Sequence, residues 1–109
     1  MKANGPARAN LARSMKVEDF LDYVLECIEE ELKEWNHRAE IIPSWDQDKK
    51  NCAVIFQVDK AIFSLRLNRA VIQKCQKKAA YALDRLFWKK LKEEGIELQE
   101  NRYIEAVFI

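Results

Sequence analysis

The 109 residues include only two glycines, two prolines and one histidine. Two glycines leave no material for a glycine-rich phosphate loop, which excludes the P-loop and dinucleotide-binding fingerprints. The lone histidine, His37, follows an acidic run and reads as a cation at a helix C-terminus rather than as a general base. Three cysteines, Cys27, Cys52 and Cys75, are spread singly without a CxxC pair. That pattern suits neither a disulfide framework nor a zinc site, and it fits buried thiols in a reducing compartment. No apolar run approaches the roughly 20 residues needed to cross a bilayer, and the N-terminus lacks the apolar stretch of a signal peptide. A soluble cytoplasmic protein without membrane contact is the expectation.

Hydrophobic residues make up 49% of the chain and charged residues 34%, the composition of a folding chain rather than a disordered one. At this length there is room for one domain with one core. The net charge of +1 conceals a strong polarity. Between Val17 and Asn36 eight carboxylates face Lys33 alone, a net charge of −7, whereas between Arg69 and Glu94 eight cations face three carboxylates, a net charge of +5.

The first sixteen residues, MKANGPARANLARSMK, are small, basic and without periodicity, so they read as a disordered tail. The run ARSM before KVEDF has the look of a fusion scar joined to an internal start at Met15, and the basic character of residues 1–14 therefore supports no functional reading. The domain is expected over 17–109. Val17, Phe20, Leu21, Val24, Leu25, Ile28, Leu32 and Trp35 recur at helical spacing and predict a helix from Val17 to Asn36, with Ser14 as its N-cap.

The segment AEIIPSW reads as a short strand ending near Pro43, which cannot donate a ladder bond. CAVIFQV and AIFSLRL follow as two strands joined at Asp59 and Lys60, a two-residue hairpin. Cys52, Val54, Phe56 and Val58 share one face, as do Ala61, Phe63, Leu65 and Leu67, and both rows are core candidates. A second helix is expected from Arg69, capped by Asn68 and ended by Gly95. NRYIEAVFI alternates well enough to predict a last strand. The order is then α-β-β-β-α-β, an α+β fold in which an antiparallel sheet carries two helices on one face.

On a wheel drawn through the second helix, Ile72, Cys75, Ala79, Leu83, Leu86 and Phe87 gather on one side. Lys74, Lys77, Lys78, Tyr81, Arg85, Trp88 and Lys92 lie opposite, which makes them a candidate binding face: cations for phosphates, with aromatic rings for bases or for apolar pockets on a protein. The helix-strand-strand-strand-helix order over Val17 to Glu94 is similar to that of double-stranded RNA-binding domains, where lysines at the start of the second helix meet phosphates. Lys74, Lys77 and Lys78 occupy roughly that place, and the resemblance implies a phosphate-facing role for them. The loop DQDKKN, however, has no Gly-Pro-x-His, no glycine-rich entry precedes the lysines, and the first helix is acidic where that family turns it toward RNA.

No nucleophile with a neighbouring base emerges, so an enzyme is not expected, nor is a cofactor. Glu29, Glu30, Glu31 and Glu34 read as a solvated face rather than a cation site. The expectation is a small binding or regulatory module that acts through a protein partner or a second copy of itself, using the aromatic side of the second helix or the apolar last strand. Nucleic-acid binding by the basic face is the alternative, with near-neutral charge against it.

Overall fold

The computed structural model describes residues 5–109. The first four residues of the expected tail lie outside that range. Over Gly5–Ser14 the chain is a helix, α1, rather than a disordered tail. One long-range tie is Arg8, bonded to Asp84, 76 residues away.

Helix α2, Val17–Glu34, buries Val17, Phe20, Leu21, Val24, Leu25, Ile28 and Leu32, the row that the spacing predicts. Glu18 and Asp19 stand in its positive first turn. Its N-cap is Lys16 in extended backbone, not Ser14, whose hydroxyl donates to Leu11 O within α1. At the other end Asn36 takes a left-handed φ of 65°, while Asn36 N–H donates to Lys33 O and His37 N–H to Leu32 O. Those two bonds close a Schellman turn, which frees the chain to reverse into the sheet.

The sheet contains β1, Ala39–Trp45; β2, Asn51–Val58; and β3, Ala61–Asn68, in the order β1-β2-β3, antiparallel throughout. β1 continues past Pro43 for a reason visible in the ladder. Asp46 N–H donates to Asn51 O and Asp59 N–H to Arg38 O, so even-numbered residues of β1 bond to β2 and odd-numbered ones face outward. The N–H that proline lacks belongs to the outer edge and removes nothing from the ladder. The β2–β3 hairpin turns at Asp59 and Lys60, with Asp59 at a left-handed φ of 54° that its short side chain tolerates.

Cys52, Val54, Phe56 and Val58 are buried under the helices, each contributing on the order of 1.5–3 kcal/mol where the side chain is large and apolar. The β3 row is less covered: Leu67 is buried, Phe63 and Leu65 are half-buried and Ala61 is exposed.

The expected second helix is two helices, α3, Arg69–Lys78, and α4, Ala82–Glu93. Asn68 does cap α3, its side chain accepting from Val71 N–H at 2.8 Å. Gly95 does end α4 at φ 93°, with Gly95 N–H donating to Lys92 O and Ile96 N–H to Leu91 O. The predicted last strand is instead a short helix, α5, Arg102–Val107. Asn101 accepts from Ile104 N–H, and Tyr103, Ile104 and Val107 turn inward together, a three-and-four spacing that the apparent alternation concealed. The class is α+β, but the order over the described residues is α-α-β-β-β-α-α-α.

Candidate functional site

The seven residues of the expected basic and aromatic face do not form one surface. Extended backbone at Ala79 breaks the helix and rotates α4 relative to α3. Lys74, Lys77, Lys78 and Lys92 remain exposed, but Trp88 is fully buried and Tyr81 and Arg85 are half-buried. Arg85 Nε donates to Val107 O at 2.7 Å and so ties α5 to α4. Of the expected buried row, Ala79 is exposed because it lies in the break.

What Tyr81 and Trp88 meet instead is a polar cluster inside the protein. Trp88 lies 5.2 Å from the Trp35 ring, centroid to centroid, and its Nε1 donates to Tyr103 Oη at 3.0 Å. Tyr103 Oη donates in turn to Asp84 Oδ2. Arg8 Nη2 reaches both Asp84 oxygens, at 2.8 and 2.9 Å, and both side chains have no solvent exposure. The guanidinium carbon is 4.9 Å from the Tyr23 ring centre and 5.0 Å from that of Tyr81, so the cation lies over the faces of two aromatic rings. Arg8 Nε and Nη1 have no acceptor, and each such buried donor costs about 1–3 kcal/mol.

Burial pushes the Asp84 carboxyl above its usual range, while Arg8 and the Tyr103 hydroxyl pull it back toward the charged form. Burial likewise lowers Arg8, but Asp84 more than offsets it, and the guanidinium stays charged. Tyr103 is raised well above its ordinary value by burial and by the Asp84 charge, so its hydroxyl keeps its proton. The sequence signal for this cluster was weak: a lone aspartate in a basic helix, and an arginine in a segment read as tail.

A second region is the sheet's uncovered side. Ile42, Ile55 and Ile62 are 47%, 38% and 71% exposed, and the register sets Ile42 beside Ile55, with Ile62 one diagonal step away across β3. Arg69 N–H donates to Lys50 O, which fixes odd-numbered residues of β3 as the ones bonded to β2. The N–H and C=O groups of Ile62, Ser64 and Arg66 therefore point out from a free edge, and no other strand of the described residues pairs with it. The edge has neither a proline nor a bulge to blunt it.

The remaining candidates carry less chemistry. His37 Nδ1 lies 2.7 Å from Asp59 Oδ2, a pairing of the helix end with the hairpin turn. Burial pushes the thiols of Cys27, Cys52 and Cys75 upward, away from the thiolate a nucleophile needs. Of the α2 glutamates, Glu31 is buried, its Oε2 accepting from Asn101 Nδ2 at 2.5 Å, and Glu29 pairs with Lys33 at 3.3 Å. Asp22, Leu25, Glu26, Glu29, Ile41 and Pro43 line an open groove of about 230 Å³ beside β1. No group of three or more metal-ligating side chains occurs among the described residues, and none of their helices is long and apolar enough to cross a membrane.

Compared with known protein families, with curated proteins and with solved structures, the chain shows no match to any.

Proposed function

We propose that the protein is a small interaction module that pairs with a second copy of itself through the β3 edge. The single observation behind this reading is that edge: outward amides and carbonyls at Ile62, Ser64 and Arg66, next to the half-covered core residues Phe63 and Leu65. An antiparallel two-fold through Ser64 sets Ile62 opposite Arg66 of the second copy, so the two arginines do not face each other. On the inner face it brings Phe63 against Leu65 of the second copy, a cross-strand apolar pair for residues that have only partial cover. About six backbone hydrogen bonds form at alternate positions, and the three-stranded sheet becomes six-stranded, nearer the usual size.

Sedimentation velocity over a range of concentrations tests it. A reversible dimer is expected, and Ser64→Pro is expected to give a monomer of unchanged circular dichroism, since the N–H it removes is not used by β2. A wild-type chain that stays monomeric into the hundreds of micromolar, or a Ser64→Pro chain that still dimerises, overturns the proposal.

A nucleic-acid reading keeps one observation of its own. The bond from Arg69 N–H to Lys50 O brings Lys49 and Lys50 beside the start of α3, the helix that bears exposed Lys74, Lys77 and Lys78. Fluorescence anisotropy of a labelled RNA duplex decides: binding that weakens steeply with salt and disappears with all three lysines changed to Glu supports it, and no binding at low salt removes it.

A further inference from the structure

We infer that Tyr23, Tyr81 and Asp84 form a receptor for the guanidinium group of an arginine presented by a partner protein, and that α1 fills this receptor with its own Arg8. The inference stands independently of the dimer. It begins from how unequally the two halves of the contact are built. On the receptor side, Tyr23 belongs to α2, Asp84 and Trp88 to α4 and Tyr103 to α5, with Tyr81 at the α4 N-cap. Asp84 is oriented by Tyr103, Tyr103 is held by Trp88, and Trp88 packs on Trp35. Tyr81 also meets the edge of Tyr103 at 6.1 Å. None of these contacts uses Arg8, so the carboxylate and the Tyr81 ring keep their places when the arginine leaves.

The occupant's side buries much less. Arg8 and Ala12 are the buried side chains of α1 among the described residues, Leu11 is 39% exposed, and the helix has no acidic first turn. The Gln76 amide also donates to Ala12 O and Met15 O. Extended Lys16 then separates α1 from α2, which leaves α1 a pivot. Arg8 is also seated poorly: one nitrogen serves both carboxylate oxygens while Nε and Nη1 find no acceptor. An arginine entering from another direction can place two nitrogens on the two oxygens, the stronger side-on pairing. Two ring faces suit a flat, delocalised cation better than a compact ammonium, which makes arginine the ligand class rather than lysine.

The test uses the full chain carrying Arg8→Ala, with Nα-acetylarginine amide as probe and tryptophan fluorescence as readout. Saturable binding is expected, at least about tenfold tighter than to the wild type, whose site is already filled. The isosteric citrulline amide is expected not to bind, and Asp84→Asn added to Arg8→Ala is expected to abolish binding. A folded Arg8→Ala chain that ignores the arginine probe, or binds the citrulline one equally, overturns the inference. If Arg8→Ala unfolds, recovery of its circular dichroism with the arginine probe alone supports the receptor, and failure to recover shows Arg8 to be a structural strut. Uncapped arginine distinguishes sources: tighter binding of the free amino acid than of the amide overturns the assignment to a protein ligand.

Discussion

Asp84 and Tyr103 show how much a buried polar group depends on each neighbour. Tyr103→Phe leaves Trp88 Nε1 without its acceptor and takes one donor from Asp84, at an expected cost of about 1–3 kcal/mol in urea unfolding. Asp84→Ala leaves the Arg8 charge buried and unpaired, and a loss of about 3–5 kcal/mol is expected by the same measurement. Asp59 lies on the surface and acts through pH instead. The hydrogen bond with His37, then that from Arg38 N–H, hold its carboxyl below the ordinary 3.8. Its contribution is therefore present above that value and lost as pH falls through the lower folded one. Urea midpoints measured between about pH 5 and pH 2 are expected to fall less steeply for Asp59→Asn than for the wild type.

At the scale of elements, Gly95 offers the most direct test. Nothing lies within 4 Å of a Cβ added there, so Gly95→Ala reports on backbone alone, and its φ of 93° is expected to make the change cost about 1–2 kcal/mol in thermal or urea unfolding. This turn, the Asn68 cap, the hairpin at Asp59 and the buried row of β2 were legible in the sequence because each is specified by residues within a few positions of one another. The break at Ala79 was not. KKAAYA contains neither glycine nor proline, and a wheel drawn through it carried the phase of α3 into α4, which placed Trp88 outside. The α5 helix was misread for a related reason: six residues are too few to separate a period of two from one of 3.6, and the Asn101 cap was the clue available. The Arg8 cage was beyond reach of any local pattern, since its parts come from α1, α2 and α4 and meet only when the core closes.

At the scale of the molecule, the acidic and basic segments lie against each other. Arg69 of α3 pairs with Glu18 of α2 at 2.8 Å, so part of the charge separation along the chain is neutralised within it. The two margins of the sheet, by contrast, are not equivalent. The outward positions of β1 include Pro43, whereas the outward positions of β3 are all able to donate. Strand addition of the kind proposed thus has one live end per molecule, and joining two copies consumes both, leaving a pair terminated by proline on either side. Such an assembly cannot propagate into a fibril. Pro43→Val restores the missing donor without disturbing the β1–β2 ladder, and its expected outcome is open-ended growth: light scattering that rises with concentration where the wild type, with its proline stop, levels off at the dimer.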